Sequence, residues 1–345
     1  MKRIRVAING FGRIGRAFFS VAKNIPELQI IAINDLGDAE NLAYLLKYDT
    51  VYGRSGFDPK IKKEGSAVFM DVEGNHTRFL SEKDPTMLPW GELDIDIVLE
   101  STGVFASYEK ARVHLEAGAK RVVISAPVKD EAPNGIVGVT ALMGINTELL
   151  KDADISSNAS CTTNAVSPVI QILHEAIGIE KAMLNTTHAY TASQSIVDGT
   201  KPKDWKEGRA AAHNIVPTTT GAAVATTKAI TDLAGKFDGV AMRVPVIAGS
   251  IADITFVAKR RTSVAEVNTA LKEAALTPRW KDVFSFTEEP IVSSDVLGQP
   301  FASIADLSLT QVVDGDLVKV LAWYDNEMGY THSLIQHVKE AGKYI

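Results

Sequence analysis

The sequence predicts an α/β protein in two parts: a doubly wound sheet of mostly parallel strands, then an α+β domain whose sheet is mostly antiparallel. Three observations carry this. Over roughly the first 140 residues, short β-rich runs alternate with stretches of helical spacing, as in βαβ units. Residues 239–246, 251–260 and 317–323 alternate apolar with polar positions, the mark of a sheet with one covered face. The length of 345 residues exceeds what one core usually supports.

In chain order, 4–9 is a β-rich run ending in glycines, and 16–25 has helical spacing with Ala17, Phe18, Val21 and Ala22 apolar. A buried strand over 28–34 precedes a helix over 38–48, with Asp38 as its N-cap. Residues 67–80 alternate around Glu73-Gly74-Asn75 and read as a hairpin. Strands over 95–99, 121–125 and 136–139 and a helix over 108–117 complete the first half. One long helix over 162–177 opens the second half, followed by a polar loop over 192–208, the alternating strands, and helices over 263–275 and 329–341. The expected domains are 1–158 and 159–325, with the C-terminal helix (326–345) returning to the first.

A hydrophobic fraction of 46% with 23% charged residues supports a packed core. The net charge of −6 argues against a general nucleic-acid binder. Cys161 is the one cysteine, so no intramolecular disulfide forms, which fits a reducing compartment. The N-terminal apolar run is too short for a signal sequence, and no run approaches the roughly 18 apolar residues of a membrane span. A cytoplasmic protein is expected, with no membrane partner and no metal.

Residues 10–15 read Gly-Phe-Gly-Arg-Ile-Gly, between a strand and a helix. In this G-x-G-x-x-G, Gly10 permits the tight turn, Gly12 lets backbone approach a pyrophosphate, and Gly15 lets helix and strand pack closely. The helix N-terminus then offers N–H groups to phosphate. Asp35 ends the second strand, 20 residues after Gly15. Its carboxylate can accept from a ribose diol and would repel a 2′-phosphate, favouring NAD over NADP. This is a Rossmann-type dinucleotide site.

Cys161 lies at the start of the 162–177 helix, where the dipole would lower its pKa and make it a nucleophile; an inert buried thiol is the other reading. His188 follows 27 residues later at the end of a β-rich run, either as its base or as a structural histidine. Spacing leaves both alternatives open.

Ser160-Cys161-Thr162-Thr163-Asn164 resembles the active-site segment of glyceraldehyde-3-phosphate dehydrogenases. The resemblance runs over essentially the whole chain. It includes Asn9 through Gly15, Glu100-Ser101-Thr102-Gly103-Val104-Phe105, Ile124-Ser125-Ala126-Pro127, Asn214-Ile215-Val216-Pro217 with Thr220-Gly221-Ala222-Ala223, Arg243-Val244-Pro245, and Trp323-Tyr324-Asp325-Asn326-Glu327. It implies that Cys161 attacks the aldehyde and His188 serves as base. It also implies that inorganic phosphate cleaves the thioester. It assigns NAD to Gly10, Gly12, Arg13, Ile14, Gly15, Asp35, Ser125 and Asn326, with Lys83 near the adenine. Thr191 and Arg243 would hold the phosphate of glyceraldehyde 3-phosphate. Ser160, Thr162, Thr163, Thr220 and Gly221 would serve the attacking phosphate, with Arg209 nearby. The 192–208 loop is similar to one that packs on a neighbour in the family, which implies a homotetramer.

Several positions depart from the family pattern. Ala165 replaces a second cysteine, Ser193 stands at a variable position, Glu207 occupies a frequent arginine position, and Gly199-Thr200-Lys201 lacks a proline. Thr200 and Lys201 would tolerate a 2′-phosphate, and Asp35 opposes it. Competing readings are an enzyme for erythrose 4-phosphate, a non-phosphorylating aldehyde dehydrogenase, and an NAD-binding scaffold without turnover.

Overall fold

The computed structural model describes residues 3–202 and 204–345. Two compact units divide the chain: Met1–Ala141, Asn146–Ala159 and Leu334–Ile345 form the first, Leu142–Ile145 and Ser160–Ser333 the second.

The first unit contains β1 (Ile4–Asn9), α1 (Arg13–Ala22), β2 (Leu28–Asn34), α2 (Ala39–Lys47), β3 (Tyr48–Asp49), β4 (Gly53–Arg54), β5 (Lys60–Glu64), β6 (Ala67–Val72) and β7 (Asn75–Leu80). It continues with β8 (Ile97–Glu100), α3 (Tyr108–Glu116), β9 (Arg121–Ile124), β10 (Gly138–Thr140) and β11 (Ile155–Ser157). Its nine-stranded sheet runs β10-β11-β9-β8-β1-β2-β7-β6-β5. The strands from β10 to β7 pair in parallel. The edge β7-β6-β5 is an antiparallel meander. Glu73 and Gly74, both with positive φ, turn the β6–β7 hairpin with the backbone hand that two-residue loops favour. Asp38 caps α2 by accepting from the Asn41 N–H. The central strands are buried on both faces, so they read as apolar runs rather than alternations.

The second unit contains α4 (Cys161–Ala176), β12 (Ile179–Ala189), β13 (Val216–Thr219), α5 (Ala222–Ala229), β14 (Phe237–Val244), β15 (Ser250–Ala258), α6 (Val264–Ala275), β16 (Phe284–Thr287), β17 (Ser303–Val313) and β18 (Leu317–Tyr324). The sheet order is β13-β14-β12-β15-β18-β17-β16. Four pairings are antiparallel, and β12–β14 and β16–β17 are parallel. One core joins Val166, Val169, Ile170 and Leu173 of α4 to Leu184, Ile254, Phe256, Val318 and Val320 of the sheet. Cutting a fully buried Leu such as Leu173 to Ala would cost about 2–5 kcal/mol. α7 (Met328–Gly342) divides between the units at Ser333/Leu334, so its first turns belong with the second, not wholly with the first as the sequence predicts.

Of the elements that escape a periodicity reading, two have a plain physical cause. β17 loses alternation where its pairing with β18 shifts register between Asp306 and Gln311. α5 is only eight residues long and rich in Ala and Thr, so it carries little amphipathic signal.

Candidate active site

In the first unit β1 ends at Asn9, and Gly10 turns the chain with φ +97. A Cβ there would meet the Thr102 nitrogen at 2.6 Å, and one at Gly15 would meet the Gly10 carbonyl oxygen at 2.1 Å. Gly12, by contrast, has nothing within 4 Å of its Cβ direction. Gly12 caps α1 without a side chain, and the first turn, with Arg13 and Ile14, holds no acid. The helix end is therefore left open to an anion above Gly12, and the cradle fits a dinucleotide pyrophosphate.

Asp35 accepts from the Phe11 N–H at 2.6 Å and the Gly37 N–H at 2.8 Å, which ties it to the glycine turn and fixes its orientation. A carboxylate has about four acceptor sites, so capacity remains for a diol. The Arg13 side chain pairs with Asp49 through two contacts, at 2.5 and 3.3 Å, leaving its backbone for the phosphates. Ser125 follows β9 and donates its N–H to the Glu100 carbonyl. Lys83 is exposed, and no hydrogen bond or ion pair of its side chain is found among the described residues.

Beneath this cradle lies a buried polar network that sequence reasoning missed. Glu100 Oε2 accepts from Asn9 Nδ2 at 2.6 Å and lies 3.1 Å from His114 Nε2. Oε1 accepts from the Thr102 N–H at 2.8 Å and from its hydroxyl. The Trp90 indole, which can only donate, lies 3.2 Å from His114 Nδ1. Nδ1 therefore accepts, and Nε2–H faces the carboxylate. Asn34 donates to Asn9, and the Ser101 hydroxyl donates to the Gly10 carbonyl at 2.7 Å. The ends of β1, β2 and β8 are thus locked under the glycine turn. The only sequence signal was an acid closing the apolar run of β8.

In the second unit Ser160 caps α4: its hydroxyl oxygen accepts from the Thr163 N–H at 3.1 Å and lies 2.8 Å from the Thr163 hydroxyl. Cys161 is the first helical residue and half-buried. Its Sγ lies 3.4 Å from Nε2 of His188, near the end of β12. In the parallel β12–β14 register His188 stands opposite Arg243, and the Arg243 Nη1 contacts His188 Nδ1. Tyr324, at the end of β18, places its ring edge-on to His188 with centroids 5.8 Å apart. Its buried hydroxyl bridges Thr162, at 2.9 Å, and Thr186, at 2.8 Å. Nothing in the sequence pattern singled out Tyr324 for this role.

The electrostatics correct one expectation. Burial pushes the Cys161 thiol up, and the lowering effects of Arg243 and of the helix-start hydrogen bonds do not overcome it. Burial, aided by Arg243, pushes His188 down to about 3.

The remaining expected residues divide. Asn326 Oδ1 accepts from the Gly249 N–H at 3.0 Å and the Ser250 hydroxyl at 3.2 Å. Since that N–H must donate, the amide orientation is fixed and its Nδ2 is left to donate. The Thr191 hydroxyl lies 3.0 Å from that of Ser193. Thr220 accepts from the Ala222 N–H, and Gly221 caps α5 without a side chain. Thr162 and Thr163 are buried, with their hydroxyls committed to Tyr324 and Ser160. Arg209 is drawn into an exposed ion pair with Asp198 at 3.0 Å.

Residues 4–108 match the family model for the NAD binding domain of glyceraldehyde 3-phosphate dehydrogenase, and residues 160–326 match the model for its C-terminal domain. The chain belongs to the glyceraldehyde 3-phosphate dehydrogenase family. A glyceraldehyde-3-phosphate dehydrogenase of Streptomyces coelicolor is 47% identical over 335 residues, covering 96% of each chain. One from Geobacillus stearothermophilus is 45% identical over 334 residues, again covering 96% of each, and one from Clostridium pasteurianum is 45% identical over 344 residues, covering 98% of each. NAD is the cofactor of the family's first domain, in agreement with the open helix end at Gly12 and the acid at Asp35. Among the described residues no helix is long and apolar enough to cross a membrane.

Proposed function

We propose that the chain oxidises glyceraldehyde 3-phosphate to 1,3-bisphosphoglycerate, reducing NAD through a hemithioacetal and then a thioester on Cys161. The 3.4 Å approach of Cys161 Sγ and His188 Nε2 at the start of α4 carries the reading. His188 accepts the thiol proton as sulfur adds to the aldehyde carbon, and returns it to the new alkoxide. It then takes the hydroxyl proton as hydride leaves the same carbon. Bound NAD supplies the hydride acceptor, and Asn326 Nδ2 would orient its carboxamide. The Cys161 N–H and protonated His188 stabilise the oxyanions. Inorganic phosphate attacks the thioester carbon, and the thiolate leaves paired with imidazolium.

Arg243 and Thr191 are assigned the substrate phosphate. Thr220 and Gly221, at the uncapped start of α5, suit the attacking phosphate better than Thr162 and Thr163, whose hydroxyls are committed. A homotetramer in the cytoplasm is part of this proposal. By strand register Met183, Val240 and Leu317 share one face of the second sheet and are exposed there, while Trp205 in the 192–208 loop is 84% exposed. Apolar surface of this kind is what an interface covers.

The test is reduction of NAD by the purified protein with glyceraldehyde 3-phosphate, with and without inorganic phosphate. Phosphate-dependent NADH formation that vanishes in Cys161→Ser supports the proposal. Equal turnover without phosphate points to a hydrolytic enzyme, and no turnover with any aldehyde points to a scaffold.

A further inference from the structure

Asn326 is only 8% exposed, and its Oδ1 makes every side-chain hydrogen bond found for it among the described residues. That oxygen accepts from the Gly249 N–H at 3.0 Å and from the Ser250 hydroxyl at 3.2 Å. On either side of Asn326 the turn is clamped by Asp325, which accepts from the N–H groups of Gly298, Glu327 and Met328. The backbone is therefore held. What is left to set is which end of the amide faces outward.

Ser250 opens β15, opposite Tyr324 of β18, and is 2% exposed. Its hydroxyl accepts from the Ala189 N–H at 3.1 Å and meets Asn326 Oδ1 on its other side. A backbone N–H can only donate and an amide oxygen can only accept, so the one hydroxyl proton goes to Asn326. Neither direction depends on a histidine tautomer. The β12–β15 ladder ends at Thr187 and Ile251, and past it the Ala189 N–H turns to this side chain. The Ala189 carbonyl oxygen lies 2.6 Å from His188 Nδ1. One hydroxyl thus ties the residue after the base to the amide of Asn326. The second donor comes from Gly249, with φ +87, where a Cβ would meet the Ser293 carbonyl oxygen at 2.4 Å.

We propose that Ser250 is a positioning residue acting through Asn326: its hydroxyl, anchored on the Ala189 N–H, keeps Nδ2 outward as a donor to the carboxamide oxygen of NAD. The inference rests on the role proposed above for Asn326 toward that carboxamide. With both donors on Oδ1, turning the amide over would point its NH2 at two buried donors and leave both unpaired. Without the hydroxyl only the Gly249 N–H opposes that turn, and the amide can swing about the remaining bond. The outward end is then no longer fixed as a donor, and a carbonyl oxygen facing it loses part of its bond. A residue that served folding alone would weaken every ligand alike.

The experiment is calorimetric titration of the full-length protein with NAD and, separately, with ADP-ribose. ADP-ribose carries the pyrophosphate of NAD but no carboxamide. We expect Ser250→Ala to raise the Kd for NAD about threefold or more, the range of one lost hydrogen bond. The Kd for ADP-ribose should stay within about twofold of wild type. In an Asn326→Ala background the same substitution should change neither value, because the group it acts through is gone. Ser250→Cys, which keeps the shape and offers only a weak S–H donor, gives the same comparison if the alanine variant does not fold. Equal weakening of both ligands, or an undiminished effect of Ser250→Ala on NAD in the Asn326→Ala background, would overturn the proposal. So would an unchanged NAD affinity in Ser250→Ala while Asn326→Ala weakens NAD, a result that leaves the role of Asn326 intact. If Asn326→Ala itself binds NAD as the wild type does, that role fails and takes this inference with it. These affinities need no aldehyde, so they stand or fall apart from the oxidation itself.

Discussion

The Tyr324 hydroxyl lies 2.9 Å from the hydroxyl of Thr162, the residue next to the nucleophile. It also reaches Thr186, two residues before the base, so one side chain ties the start of α4 to β12. Tyr324→Phe leaves two buried hydroxyls without that partner and should cost about 1–3 kcal/mol in denaturant unfolding. Because near-attack geometry is sensitive to small displacements, kcat should fall about tenfold or more. A variant with wild-type kcat would show that Cys161 and His188 are held by something else.

Glu100 collects four donors beneath the glycine turn. In Glu100→Gln the amide NH2 must face a donor on one side, so at least one buried donor goes unpaired. We expect a loss of about 1–3 kcal/mol in stability and weaker NAD binding. Turnover at saturating NAD should change much less, because Cys161 and His188 belong to the other unit. Quenching of protein tryptophan fluorescence on titration with NAD, measured alongside kcat, separates the two effects.

Asp35 holds the Phe11 and Gly37 N–H groups and presents the negative charge at the end of β2. Asp35→Ser should improve NADP use relative to NAD by about tenfold or more in kcat/KM, since it removes repulsion of a 2′-phosphate. An unchanged ratio would move cofactor selection elsewhere, for example to Thr200 and Lys201.

His337 is buried between Ser156 and Asn158, and desolvation pushes it down to about 3. His188 is depressed to a similar value. Each contributes stability that is fully present above its unfolded pKa, near 6.5, and is lost as pH falls toward 3. In that window the unfolded chain binds the extra proton, so each histidine adds a slope of up to about 1.4 kcal/mol per pH unit. Unfolding titrations between pH 7 and 4 should show the fall, with a shallower one for the first unit in His337→Gln. A flat profile would mean the histidines are already charged in the fold.

Elements with strong local signals were legible in the sequence. The glycine turn, the acid ending β2, the capped helices and the alternating strands of the second sheet all lie where spacing put them. Cys161 and His188 were legible as candidates only, because their meeting depends on the β12 register and the packing of α4. Tyr324, Glu100, Trp90 and His114 received no role, although Glu100 and Tyr324 lie in segments that carry the family resemblance. Their roles arise from contacts between residues far apart in sequence, and an isolated Tyr or Glu carries no pattern that reports such a contact. The thiol pKa was misjudged because a helix-dipole argument ignores burial, which acts in the opposite direction and is the larger effect here.

The most direct test of the central claim is intact-protein mass spectrometry after mixing the protein with NAD and glyceraldehyde 3-phosphate in the absence of inorganic phosphate. The thioester chemistry predicts one 3-phosphoglyceroyl group per chain, mapped to Cys161, which is released as the acyl phosphate when phosphate is added. An unmodified chain that still turns over, or an acyl group on another residue, would contradict it.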